Sequence, residues 1–172
     1  MFLNVIKAFL LKKNLKKQLC NVEDESLNSS LSRVGLIVDE SHFINTKALK
    51  QEIISNGILE ENIKVIAFRD DFKKKEIYLE PTFGLHDLNF KGEFCNQVIK
   101  DFISDEFDVL INYYIEEKPF LMLLTNNSKA KFKAGFSAVD KRLFHILINI
   151  GSDDYKGFIK ELFRYLKILN KI

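Results

Sequence analysis

The stretch Arg33-Val34-Gly35-Leu36-Ile37-Val38-Asp39-Glu40-Ser41 constrains the fold most, because a nearly unbroken apolar run stops abruptly at two acids and a hydroxyl. A run that is apolar on both alternations leaves no face for water, so it reads as the first buried strand of a parallel sheet covered on both sides. In an open parallel sheet, ligands sit in the crevice beyond the carboxyl ends of the strands. The polar tip of each such run is therefore where function is sought.

Three further runs read as strands of the same sheet, the last of them with one face that is wet or meets an anion. Ile63–Phe68 ends at Arg69-Asp70-Asp71, Phe107–Tyr114 has its polar exit at Asn112-Tyr113-Tyr114, and Lys131–Phe136 alternates Phe132, Ala134 and Phe136 against Lys131, Lys133 and Gly135. Between the first two runs, Phe43–Ser55 carries apolar residues at helical spacing and stops at Asn56-Gly57. A fifth strand, Leu143–Ile150, follows the fourth after about six residues, whereas a parallel crossover needs roughly a dozen or more. The spacing predicts an antiparallel hairpin there, with Asp140, Lys141 and Arg142 carried to the same edge as Asp39 and Asn112. The predicted fold is α/β: a Rossmann-like three-layer sandwich of four parallel strands plus an antiparallel edge strand, with an extra N-terminal helix.

The connections refine this picture. Arg69 to Glu93 is far longer than the usual ~4–6 residues; Glu76–Leu79 reads as a possible short strand ended by Pro81, and a helix runs from Phe94 to Ile103. Glu116, Glu117 and Pro119 mark the start of an apolar helix. The stripe Tyr155, Phe158, Ile159, Leu162, Phe163, Leu166 and Leu169 marks a C-terminal helix that packs on the sheet.

At the N-terminus, an apolar stretch to Leu11 is followed by Lys12, Lys13, Lys16 and Lys17. It is shorter than the ~20 residues of a membrane span and carries no secretory pattern. Two readings stand: a helix packed on the domain or on a second copy, or a membrane-surface anchor over Met1 to Lys17 with a lysine collar. The organisation expected is a basic helix over 1–20, a polar connector over 21–32 and a single α/β domain over 33–172.

With 172 residues the chain suits one domain and is too small for two complete nucleotide-binding halves. A net charge of +2 sets no global field for nucleic acid, which is therefore a disfavoured partner. Cys20 and Cys95 lack the spacing of a zinc site and read as reduced thiols of a cytoplasmic protein. No GxGxxG follows the first strand and no GxxxxGK[ST] occurs, so no nucleotide cofactor is expected, and no metal.

Several stretches carry a resemblance. On Phe68-Arg69-Asp70, Pro81-Thr82-Phe83, Asp87 to Phe94, Phe107 to Tyr114, Ser128 to Phe136 and Val139 to Arg142, the chain resembles a family of short proteins of unknown function from Bacteroidetes bacteria. That resemblance implies no activity and transfers no functional residue. The run Phe107 to Phe136, with Ala130-Lys131-Phe132-Lys133-Ala134-Gly135-Phe136, is similar to the first half of heptosyltransferase-type glycosyltransferases, enzymes that use a second domain to bind the sugar nucleotide.

Two sets of candidate residues emerge. Asp39, Glu40, Asp70, His86, Asp87, Asn89, Lys91, Glu93 and Asn112 rim a possible ligand crevice, since carboxylates from separate strand ends converge in such sheets and a histidine titrates near neutral pH. Lys129, Lys131, Lys133, Lys141 and Arg142 concentrate positive charge for an anion. Against both stands the ordinary role of such residues, capping helices and solvating loops. No spacing of Ser, Cys, His and Asp argues nucleophilic catalysis, and the sequence does not decide whether the chain is an enzyme. The leading expectation is a non-enzymatic domain that binds a protein partner, with self-association as one form of it. The alternatives are a protein or enzyme for a small anionic, phosphorylated or sugar ligand, and peripheral membrane attachment.

Overall fold

The computed structural model describes residues 2–22, 31–73, 75–89 and 92–172, with side chains from Ala8 onward. The connector expected over 21–32 and the pair Phe90 and Lys91 fall largely or wholly outside these residues. Helix α1 (Phe2–Gln18) precedes β1 (Val34–Asp39), α2 (Thr46–Ser55), β2 (Ile63–Phe68), β3 (Thr82–Phe83), α3 (Gln97–Ser104), β4 (Val109–Tyr113), α4 (Pro119–Asn127), β5 (Phe132–Phe136), β6 (Ile146–Ile148) and α5 (Tyr155–Ile168).

Every residue of β1 is buried. The strand pairs in parallel with β2 on one side and β4 on the other, placing Leu36 beside both Val65 and Ile111. Because successive side chains point to opposite faces, Val34, Leu36 and Val38 enter one apolar cluster and Ile37 the other. The first cluster is closed by Leu49 and Ile53 of α2 and by Phe158, Leu162 and Leu166 of α5. The second is closed by α3 and α4, with Leu15 and Leu19 from the end of α1. No helix among the described residues is long and apolar enough to cross a membrane.

The sheet order is β3-β2-β1-β4-β5-β6, and every pairing is parallel. The chain builds outward from β1 to β3, crosses back to β4 and builds outward again. The reversal lies between β1 and β4, where their carboxyl ends diverge.

The expected antiparallel edge strand is corrected: β6 runs parallel to β5, with Gly135 opposite Leu147. The strand begins three residues later than expected, so residues 137–145 are free to cross over. They do so through a tight turn, Lys141–Leu143, whose cap Asp140 accepts from the Arg142 amide. The turn packs Phe144 directly over Gly135, where an added Cβ would lie 2.6 Å from the ring. His145 then returns to the strand's edge, its amide donating to the Lys133 carbonyl at 2.8 Å and its Nδ1 accepting the Lys133 amide at 2.9 Å. Absence of a side chain at Gly135 thus replaces the helix that a parallel crossover usually needs. The short strand expected over Glu76–Leu79 is also moved: pairing starts after Pro81, at Thr82–Phe83.

Gly135→Val tests this crossing. The added atoms collide with the Phe144 ring, so the urea midpoint should fall by the equivalent of about 1–3 kcal/mol with an unchanged m-value.

Candidate functional site at the carboxyl edge of the sheet

β1 ends on Asp39, which is only 2% exposed. Its Oδ1 accepts the Ser41 amide at 3.1 Å, and its Oδ2 lies 2.8 Å from Lys118 Nζ. Among the described residues no hydrogen bond of good geometry reaches that second oxygen, so charge carries the contact. Lys118 is the residue before Pro119, at the entry to α4. Its ammonium also lies 2.6 Å from Asp70 and 5.1 Å from the centre of the Phe68 ring. One lysine therefore ties the tips of β1 and β2 to the start of α4.

A second layer surrounds this contact. Glu40 accepts from Thr46 at 2.6 Å and from Arg69 Nε at 3.0 Å, while the Asp70 amide donates to Ser41 Oγ at 2.9 Å. His42 Nε2 faces Glu116 at 3.3 Å across the gap between the β1 and β4 loops. Glu117 takes Lys12 and Lys16 of α1 at 3.0 and 2.6 Å, and Arg142 donates to the carbonyls of Lys16 and Leu19. Loops after β1, β2 and β4 are laced together, with α1 docked at their side.

The structure brings Asp39, Glu40 and Asp70 together and separates the other described candidates from them. Asn112 is wholly buried one residue before the end of β4, where its amide donates to the Ala134 carbonyl at 3.0 Å and its oxygen accepts from Thr125 at 2.7 Å. Thr125 also meets the Tyr114 hydroxyl at 2.7 Å, so the three polar groups satisfy one another under α4. Asp87 is buried and accepts the Gly84 amide at 3.0 Å, shaping its own turn. Asn89 and Glu93 bond each other across a loop, through Nδ2 to Oε2 at 2.8 Å. His86 stacks on Phe72 with ring centres 5.1 Å apart, beside a groove of about 350 Å³ that Asp87, Cys95 and Asn96 also line. Lys91 lies outside the described residues.

The basic candidates are dispersed rather than gathered into a patch. Lys131 pairs with Asp108 at 2.9 Å, where Asp108 also accepts the Arg33 amide. Lys129 and Lys141 are exposed, and Arg142 pairs with Asp140 at 2.7 Å. Lys133 is buried within β5, its Nζ 3.4 Å from the Asn126 carbonyl at the end of α4.

Lys118, Thr46 and Arg69 are central to the cluster and were missed in the sequence. Lys118 did leave a signal: a cation at the N-terminal end of a helix opposes the helix dipole, so a lysine directly before the helix proline calls for a compensating anion. Burial alone pushes the Lys118 pKa down, but Asp39 and Asp70 outweigh it and hold the pKa above the ordinary lysine value. The amine stays protonated at neutral pH, the opposite of what a nucleophilic or basic lysine needs. Among the described residues, no group of three or more His, Cys, Asp and Glu side chains is placed to hold a metal ion.

These features define an α/β domain built on an all-parallel six-stranded sheet, with helices on both faces and its central crevice spanned by ion pairs. Within that class the chain belongs to the family of unknown function DUF6913, which matches residues 7–169. No curated protein and no solved structure matches the chain.

Two lysines give opposite expectations. Lys118→Met leaves Asp39 buried without its cation and should lower stability by about 3–5 kcal/mol, with much of the loss recovered in Lys118→Met/Asp39→Asn. Because the folded pKa of Lys118 is raised, its contribution is full below the unfolded lysine value of ~10.4 and is lost only as pH rises through the higher folded value. Chemical denaturation at pH 7 and at strongly alkaline pH reads both effects. Lys133 behaves in the reverse sense, since burial pushes its pKa down to about 8. Its ammonium is a cost below that value, and the cost is relieved as pH rises towards ~10.4. Lys133→Met should stabilise the protein at pH 7 by at most about 3 kcal/mol, and the gain should shrink near pH ~10 in a thermal melt series.

Proposed function

We propose that this chain is a non-enzymatic binding domain of Rossmann-like architecture, working in the bacterial cytoplasm on another protein. The observation that carries the reading is the filling of the switch-point crevice by the chain's own charges. Lys118 already has two carboxylates, and its side chain is 13% exposed. Apolar groups are offered elsewhere, on the long connection after β2, where Ile77 and Leu79 are 100% and 96% exposed. The resemblance to Bacteroidetes proteins supports the bacterial setting.

Contacts of α1 favour docking on the domain over membrane attachment. Leu15 and Leu19 are buried, while Lys12 and Lys16 hold Glu117. Ala8, Leu11, Leu15 and two lysines of that segment are thus engaged by the protein itself, while Phe9 and Leu10 stay exposed.

A second reading rests on the outer arm of the cluster. Asp70 is about half exposed and contacts Lys118 from the solvent side, so a small phosphorylated or carboxylated ligand has a single carboxylate to displace. The likeness of β4–α4–β5 to part of the heptosyltransferase-type enzymes supports a sugar or phosphorylated ligand in that reading.

Thermal shift against nucleotides, sugar phosphates, free sugars and divalent cations separates the two. A ligand that favours the native state raises its melting temperature by mass action. The binding-domain reading expects no shift from any of them. A ligand that raises the melting temperature, and binds Asp70→Asn more tightly because its competitor has lost its charge, overturns that reading and establishes the second.

A further inference from the structure

The outer edge of β2 is only half covered. β3 reaches Ala67 and Phe68, through bonds from the Ala67 amide to the Pro81 carbonyl (2.9 Å) and from the Arg69 amide to the Phe83 carbonyl (3.0 Å). Odd-numbered residues of β2 therefore turn their backbone groups to this edge. Even-numbered ones face β1, whose following residue Glu40 donates to the Phe68 carbonyl at 2.9 Å. By that alternation Ile63 and Val65 also point outward. The Ile63 amide bonds to the Glu60 carbonyl in the turn before the strand. Neither the Val65 amide nor the carbonyls of Ile63 and Val65 has a partner among the described residues.

Pro81 is the reason. With Ala67 opposite Thr82, the residue whose N–H would reach the Val65 carbonyl if β3 continued backward is Pro81, and proline has no N–H to give. The chain leaves the sheet at that point, and Leu79 stands in solvent instead of beside β2.

Alongside the open edge runs a groove of about 320 Å³ between β2 and α3, lined by Val65, Val98, Phe102, Glu80, Asp101 and Asp105 among others. Its floor is apolar and its rim is acidic. Asp105 already holds Lys64 at 2.7 Å and Arg33 at 3.3 Å. Asp101 accepts a neutral amide from Gln97 at 2.7 Å, and among the described residues neither Asp101 nor Glu80 is in a contact ion pair, although Lys50 acts on Glu80 at longer range. Unpaired strand backbone next to an apolar trough is a template for strand addition.

We propose that an extended, basic segment of a partner protein adds to the sheet at this edge. Its backbone donates to the Ile63 and Val65 carbonyls and accepts from the Val65 amide. Side chains two residues apart share a face, so an apolar one settles on Phe102 and Val98 while lysines or arginines two positions away reach Glu80 and Asp101. The proposal rests on the binding-domain reading and gives it a location and a class of partner.

The probe is the peptide acetyl-Lys-Thr-Val-Thr-Lys-amide, whose sequence reads the same in either strand direction. Titrated into full-length ¹⁵N-labelled protein at low salt, it should shift the Val65 amide resonance and slow its hydrogen exchange. It should bind at least about tenfold more tightly than the peptide with glutamates at both lysine positions, and Asp101→Lys should erase that preference. Backbone pairing has its own signature: one of two singly N-methylated peptides, altered at adjacent residues, should lose about tenfold in affinity while the other binds as before, because alternate amides face the sheet. Absence of binding, equal loss from both N-methyl peptides, or shifts confined to another surface would overturn the edge site. Specific binding at another surface would leave the binding-domain reading standing without this site. A metabolite held at Lys118 in the thermal-shift panel would remove the reading itself.

Discussion

A carboxylate as enclosed as Asp39 needs a cation within contact distance, and that need governs how the carboxyl edge of this sheet is built. The strand order sets the tips of β1 and β2 side by side and brings the start of α4 to the neighbouring position. Lys118 enters the gap from α4 and meets Asp39 and Asp70 together. Loops that would otherwise splay apart at the switch point are drawn inward by this triad. Glu40, Thr46, Arg69 and Ser41 then find partners within the same small volume. In a region this enclosed the attraction is screened less than at the surface but is set against the cost of desolvating both ions, so removing one partner costs more than breaking a surface pair.

The location at which doubly wound sheets usually receive a ligand is, in this chain, largely spent on internal compensation. Under the proposed reading recognition falls to the margins: a half-covered strand edge, a long connection that carries exposed aliphatic side chains, and a histidine stacked over Phe72. The loops bearing Arg69 and Asp70 are anchored by charge before they lead into the connection that ends at Pro81.

Three of the four central strands were legible because each is a short run that is apolar on both alternations, and β5 because Phe132, Ala134 and Phe136 alternate with Lys131, Lys133 and Gly135. β1, β2, β4 and β5 stand where their runs predicted, to within two residues at either end. β3 was hidden by its length: two residues after a proline carry no period. β6 was misjudged because its crossing depends on contact between Gly135 and Phe144, and a glycine in a strand does not announce which ring will lie on it. At the candidate site, Asp39, Glu40 and Asp70 were legible as polar residues ending apolar runs. Asn112 fits the same rule until the strand continues to Tyr113, which places the amide under α4 with Thr125 as its partner. Lys118 escaped notice because lysines near helix starts are ordinary on a surface, and only the fold reveals how little of this one is exposed.

The contacts of α1 have a consequence for how the molecule is made. Lys16 finds Glu117 101 positions further along the chain, and the carbonyls of Lys16 and Leu19 find Arg142 126 and 123 positions away. During synthesis at roughly 5–20 residues per second, this helix leaves the ribosome several seconds before any of those partners exists. For that interval Leu15 and Leu19 face solvent or a chaperone, and the helix settles only once Arg142 has emerged. Among the elements described, the earliest translated is among the last to be fastened.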